Sequence, residues 1–363
     1  MRIQLRNKIA ALTPKRIGPA TRRCRPSLRR TDVTRNLRGS RQQMRENRSR
    51  VNANITGSRR SRLAVFLLAV AAVSAAPPSS AWAQKVARGA TEKAKARSTL
   101  VDAGFRSESL QREMHYRVLL PAGYESSEKR YPTLYLLHGL YGDFKNWSTL
   151  THLADWAEHL DLVVAMPDAG NSWYVNSATK ESDRFEDYIV NDFIAEVDSH
   201  FRTIRDRRAR AIAGLSMGGY AAMNFSIKHS TLFSYSGVIS GALDAPSGLD
   251  ERISEFREGL QNAFGPHGNP NRSANDVFLL LETSDKSKLP YFYIDCGEDD
   301  IFSGVNRNLA ARLQEKHISY EYHEMPGAHT WEYWDCAIRR FLVVLCSKNF
   351  VHRSYLPECD CAT

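Results

Sequence analysis

The sequence predicts an α/β protein in which a mostly parallel central sheet is covered by helices on both faces. Two observations carry this. Short apolar runs recur along residues 110–350, several of them nearly continuous, as strands buried on both faces require. Stripes of helical period fall between those runs, and that alternation is what builds a parallel sheet. A composition of 42% hydrophobic and 10% aromatic residues supplies a real core and excludes wholesale disorder.

In chain order, strands are expected at 114–120, 133–138, 162–166, 209–215, 235–240, 291–296 and 318–325. Phe185, Tyr188, Ile189, Phe193 and Val197 mark one helical stripe. Val305, Leu309 and Leu313 mark a second, opened by Ser303 as a candidate N-cap. Ile338, Phe341, Leu342 and Leu345 mark the last. Residues 241–289 break the alternation. They are rich in Gly, Pro, Asn and Ser around one helical pattern (Ile253, Phe256, Leu260), and read as an insertion over one end of the sheet that could serve as a lid.

The net charge of +10 over 363 residues invites a nucleic-acid reading, which depends on where the charge sits. Residues 1–62 hold 19 of the 50 Lys and Arg but only two acids, Asp32 and Glu46. Residues 63–363 therefore carry 31 basic against 38 acidic groups, a net −7. The body is mildly acidic, and no nucleic-acid partner is expected for it. Residues 63–76 are apolar but for one Ser and follow Arg59-Arg60-Ser61-Arg62. They are too short for a membrane span, which needs ~20 apolar residues, so no stable span is expected. They fit the apolar region of a secretory signal, and Ala81-Trp82-Ala83 supplies a small-x-small cleavage site. The expected organisation is a disordered basic leader (1–62, with Met44 as an alternative start) and a signal region (63–83). A polar linker then leads into the fold (84–109), followed by the main domain (110–350) and a tail (351–363). Export to a periplasmic or extracellular space, with cleavage near Ala83, follows from that reading. Ser58-Arg59-Arg60 partly fits a twin-arginine signal and Arg62-Leu63 departs from it, so the route stays open.

Six cysteines add little. Cys336 and Cys346 lie ten apart on an expected helix, ~15 Å along its axis, too far to bridge each other. Cys359 or Cys361 is close enough in sequence to pair with Cys346 if the compartment is oxidising. No Cys/His grouping has zinc-like spacing, and neither metal nor cofactor is expected.

The chemistry concentrates at Gly214-Leu215-Ser216-Met217-Gly218-Gly219, which follows an expected strand and precedes a helix-compatible run at 220–228. G-x-S-x-G in a strand–turn–helix context exposes a serine hydroxyl on a strained turn. The helix N-terminus behind it faces any developing oxyanion. A serine nucleophile needs a base, and the base needs a carboxylate to fix its tautomer. In the chain order Ser, acid, His, the base is His329, just past the strand at 318–325. His323 within that strand and His317 at a helix end are the rivals. The acid is Asp300 as first choice and Asp299 as second, both in the loop after 291–296. The oxyanion donors are the Met217 N–H and an N–H in His138-Gly139-Leu140-Tyr141-Gly142, assigned to Leu140 with Tyr141 as alternative. His138 itself reads as a loop-fixing histidine. Tyr141, Trp147, Trp173 and Trp331 are pocket candidates, since aromatic walls suit an acyl or aryl ester. Asn171, Ser172 and Asn176 accompany them.

These residues carry a resemblance. The stretches YPTLYLLHGLYGDFKNW, AMPDAGNSWYVNS, FEDYIVNDF, RAIAGLSMGGYAAM, YFYIDCGEDDIF and PGAHTWEYWD occur in family order across about 110–341. The chain thereby resembles the esterase D-like esterases, an α/β-hydrolase group. That group takes in feruloyl esterases, tributyrin-type esterases, S-formylglutathione hydrolases and the antigen 85 mycolyltransferases. The resemblance implies a nucleophile at Ser216, an acid at Asp300 rather than Asp299, a base at His329, and oxyanion donors at Leu140 and Met217. Where the mycolyltransferases have Asp-Gly-Leu-Arg, this chain has His138-Gly139-Leu140-Tyr141, which counts against trehalose-type acyl transfer. An export signal counts against a cytosolic thioester. The expected activity is hydrolysis of short-chain acyl esters, or of acyl and feruloyl groups on polysaccharide. Acyl transfer at the same site is the first rival, and a non-catalytic binding protein on a hydrolase scaffold the second.

Overall fold

A computed structural model describes residues 97–352. The expected leader, signal region, cleavage site, the first half of the linker (84–96) and nearly all of the tail (353–363) lie outside the described residues, as do Cys24, Cys359 and Cys361. The described chain begins with β1 (Thr99–Ser107), β2 (Arg112–Leu120), β3 (Thr133–Leu137), α1 (Asn146–Leu150), α2 (Leu153–Ala157) and β4 (Val163–Pro167). It continues through α3 (Phe185–Asp187), a π-helical segment (Tyr188–Phe193), α4 (Ile194–His200), β5 (Arg210–Leu215), α5 (Met217–Lys228) and β6 (Tyr235–Ile239). Short helices follow: α6 (Leu249–Arg252), α7 (Arg257–Phe264), α8 (Pro270–Ala274) and α9 (Val277–Thr283). The last elements are β7 (Tyr291–Gly297), α10 (Ser303–Glu315), β8 (Tyr320–Met325) and α11 (Trp331–Ser347).

The sheet has eight strands in the order β1-β2-β4-β3-β5-β6-β7-β8. β2 pairs antiparallel with β1 and β4, and every pairing from β4 to β8 is parallel. The central strands are apolar along most of their length because both faces are covered. Along β3, Tyr135 and Leu137 enter the core shared with the π segment, α5 and α10. Leu134 and Leu136 point the other way, into the core shared with α1, α2 and α11. Alternation of period two along one strand thus feeds two cores.

The fold is therefore α/β with helices on both faces, as the alternation predicts. The strand β1 was not expected; its residues were read as linker and approach to the domain. It lies at the sheet edge with one face exposed, and carries Asp102, Gly104 and Arg106. Its signal is weak but real: Val101, Ala103 and Phe105 alternate and pack on the core. The insertion at 241–289 also departs from expectation. It holds several short helices rather than one, and Ile253 falls at the break after α6. The Arg272 guanidinium binds Asp250 (2.7 Å) with both side chains buried, tying α8 to α6. Ser303 is the first residue of α10 rather than its cap; Phe302 holds the cap position, and its N–H donates to Asp300 Oδ1 (2.9 Å). Cys336 is disulfide-bonded.

Candidate active site

β3, β5, β7 and β8 run parallel, so the loops leaving their C-terminal ends gather on one edge of the sheet, where such sheets carry their chemistry. Four of the loops singled out from sequence leave these ends.

Ser216 sits between β5 and α5 at φ 54°, ψ −116°, a conformation that a non-glycine residue holds only under external constraint. Three backbone bonds supply the constraint. The Ser216 N–H donates to Ile239 O (3.0 Å), and its carbonyl accepts from Tyr220 N–H (3.0 Å) and Ala242 N–H (3.1 Å). The flanking glycines are required by close approach. A Cβ on Gly214 would stand 2.5 Å from the Gly218 carbonyl, and one on Gly218 would stand 2.6 Å from Leu137 O and His138 O. The turn is thereby pressed onto the end of β3, with Met217 opening α5 directly behind the hydroxyl.

His329 reaches Ser216 from the loop after β8, with Nε2 3.0 Å from Oγ. Its Nδ1 lies 2.9 Å from Asp300 Oδ2 and 3.1 Å from Oδ1. A carboxylate on Nδ1 requires the proton there, which leaves Nε2 to accept from the serine hydroxyl. The Asp300 side chain is fully buried, and its Oδ1 also takes the Phe302 N–H. The imidazole plane is held edge-on between Phe302 (5.2 Å) and Trp334 (4.8 Å). Asp299 is exposed and contributes its backbone N–H to Gly327 O (2.9 Å), joining the two loops. His323 rests on the Tyr293 ring and contacts Glu321, and His317 is exposed; neither approaches Ser216.

Gly139 lies against the serine: a Cβ on it would come 3.4 Å from Ser216 Cβ. The Tyr141 N–H donates to Asn171 Oδ1 (2.7 Å) and is committed. The Leu140 and Met217 N–H groups have no acceptor among the described residues. His138 fixes this loop. Its Nε2 accepts from Ala169 N–H (3.0 Å), which leaves the Nδ1 proton to donate to Gly139 O (2.8 Å). Asn171, a pocket candidate from the sequence, also holds this loop through the Tyr141 N–H.

A cleft of about 510 Å³ runs from Leu140 and Tyr141 past Asn171 and Trp173 to Phe256, Gly259 and Asn262 on the insertion. Of the four aromatic pocket candidates, Tyr141 and Trp173 line it and two do not. Trp147 is buried in the sheet core with its indole N–H on Leu137 O (2.9 Å), and Trp331 packs edge-on against Trp147 and Trp334. Both are held in aromatic packing, which large aromatics satisfy as readily as a pocket wall. The insertion, which the sequence places over one end of the sheet as a candidate lid, supplies Phe256, Gly259 and Asn262 to the cleft, residues that the sequence does not single out as lining.

A parallel sheet of this order with a Ser–His–Asp chain at its strand ends defines the α/β-hydrolase class of serine hydrolases. The chain belongs to the esterase family described as “Putative esterase”, whose pattern matches residues 107–342, and it is an enzyme acting on carboxylic esters. It is 28% identical over 215 residues to an acetyl esterase of Caldicellulosiruptor saccharolyticus, covering 56% of this chain and 79% of that one. It spans about half the length of the mycobacterial esterases that it also matches. Among solved structures it is similar to FphF, a fluorophosphonate-binding serine hydrolase of Staphylococcus aureus (TM-score 0.63, 25% identity, 69% of this chain and 98% of that one). It is also similar to a ferulic acid esterase (TM-score 0.60, 26% identity, 69% and 98%). Among the described residues, no helix is long and apolar enough to cross a membrane.

Proposed function

We propose that this chain is an exported serine carboxylesterase that releases short acyl or feruloyl groups from small or carbohydrate-linked esters through an acyl-enzyme. The observation that carries it is the unbroken chain of contacts Ser216 Oγ–His329–Asp300, with the Leu140 and Met217 N–H groups left without an acceptor among the described residues. In this reading Ser216 Oγ attacks the ester carbonyl carbon while His329 Nε2 takes its proton, and Asp300 stabilises the imidazolium. The Leu140 and Met217 N–H groups hold the oxyanion; losing one such donor typically costs ~3–4 kcal/mol of barrier. The carbon–oxygen bond to the alcohol then breaks, and His329 returns the proton to the departing oxygen. Water attacks the acyl–Ser216 ester with His329 again as base, freeing the carboxylic acid. None of these steps calls for a metal or cofactor.

The substrate reading rests on the cleft and on the acetyl and ferulic acid esterases that the chain is similar to. Rates across p-nitrophenyl acetate, p-nitrophenyl butyrate, a feruloyl ester and an acyl thioester test it, with the oxygen esters expected to be preferred. Adding an acceptor sugar should leave the free acid as main product; dominant transfer to the sugar would favour the acyltransferase reading. Gly259 on α7 sharpens the test, because a Cβ there would sit 3.9 Å from Trp173 Nε1, inside the cleft. Gly259→Val is expected to raise KM for the feruloyl ester by about tenfold and leave p-nitrophenyl acetate unchanged, the scale expected of a methyl or two in a pocket. Export rests on the basic and apolar sequence at 59–83. Intact mass of the protein recovered outside the cytoplasm should show a chain beginning at Gln84, and retention of residues 1–83 would overturn export.

A further inference from the structure

The loops that carry Asp300 and His329 are zipped to each other, by Glu298 N–H on Met325 O (2.9 Å) and Asp299 N–H on Gly327 O (2.9 Å). What holds the zipped pair in place lies behind it. Asp295 near the end of β7 is fully buried and accepts four bonds: from Tyr293 OH (2.5 Å), Tyr333 OH (2.5 Å), Arg340 Nε (2.8 Å) and Arg340 Nη2 (2.9 Å). Tyr333 and Arg340 belong to α11, which only Thr330 separates from His329. The Tyr333 ring bears on the histidine loop: a Cβ on Gly327 would stand 2.4 Å from Tyr333 Cδ2, and one on Gly297 would stand 2.2 Å from Gly327 O. Gly327 is thus gripped between β7 and the Tyr333 ring. Burial and the Asp295 charge push the Tyr333 phenol far above its usual value, which keeps it a donor.

We infer that Tyr333, anchored on Asp295, is a positioning residue: it clamps the Gly327 turn and so sets where His329 stands between Asp300 and Ser216. The clamp acts through packing on the loop. His329 itself faces only Asp300, Ser216 and the Phe302 and Trp334 rings among the contacts given above. The inference rests on the proposed roles of Ser216, His329 and Asp300. Tyr293 provides an internal control, since its phenol donates to the same carboxylate from within β7 without touching the loop.

The test compares Tyr333→Phe with Tyr293→Phe in the otherwise intact protein. Both remove one phenolic bond from Asp295, so both should lower Tm by similar amounts. Only Tyr333→Phe should lower kcat for p-nitrophenyl acetate, by about tenfold or more with KM unchanged, since displacement of a reacting group by a fraction of an ångström is costly. It should also broaden or shift the low-field proton resonance of the His329 Nδ1–H···Asp300 bond, which Tyr293→Phe should leave in place. Gly327→Ala pushes the ring away from the other side and should reproduce the kcat loss with the phenol intact. Equal kcat and equal resonance for the two Tyr variants, or a wild-type kcat in Gly327→Ala, would overturn the inference. Failure of the underlying roles shows separately, as full activity in Ser216→Ala.

Discussion

Ser216→Ala is expected to lower kcat for p-nitrophenyl acetate by about 10⁴-fold or more, with Tm nearly unchanged. Removing the nucleophile of such a triad leaves only what the oxyanion donors and binding supply. The fold should tolerate the change because the constraint on residue 216 is carried by its backbone. The bonds to Ile239, Tyr220 and Ala242 involve the N–H and carbonyl, which alanine keeps. Among the described residues, the thiol at the end of β7 is poorly suited to substitute. Cys296 is fully buried, and burial together with the nearby Asp300 charge pushes its thiol well above the ordinary range. Substantial residual turnover, or labelling of another residue by a fluorophosphonate, would overturn the assignment of Ser216.

Asp300→Asn should be nearly as damaging, again ~10⁴-fold in kcat, by a different route. The amide keeps the volume, and its oxygen can keep the Phe302 N–H. Its NH₂ then faces His329 Nδ1, which must give up its proton to accept from it. The proton moves to Nε2, and the imidazole can no longer take the one on Ser216 Oγ. Asp299→Asn is the matched control: its side chain is exposed and its contribution is a backbone N–H, so kcat should stay within a factor of about two. A large loss in both variants would mean that loop geometry, not the carboxylate, was disturbed.

The central part of this molecule was legible because its physics is local and repeated. Strands buried on both faces must be apolar along most of their length, so β3 to β7 announce themselves despite a buried Ser236 in β6 and Asp295 in β7. A serine turn pressed onto a neighbouring strand admits only glycine at 214 and 218, so it too leaves a mark in the sequence. The parts that were not legible obey weaker rules. β1 needs only one apolar face, so three alternating residues among charged ones suffice. The insertion helices are short, so one helical pattern (Ile253, Phe256, Leu260) stood for several separate helices. The aromatic residues near the loops offered no means of separating pocket wall from core packing, because Trp173 and Trp147 are both almost fully buried and differ only in what lies beside them. Asn171 was legible as a pocket candidate, and it lines the cleft, but nothing in the sequence marked it as the side chain that holds the Tyr141 N–H.

Ser216 and His329 stand 113 positions apart, and only Thr330 separates His329 from α11, the helix that seals the second core. During synthesis the serine turn emerges first, with its sheet unfinished on one side and its base still unmade. On the roles proposed for these residues, hydrolysis requires that residue 329 and the helix behind it have left the ribosome and packed. Activity and completion of the fold would then arrive together, and a chain ended before α11 is expected to be silent chemically as well as incompletely folded.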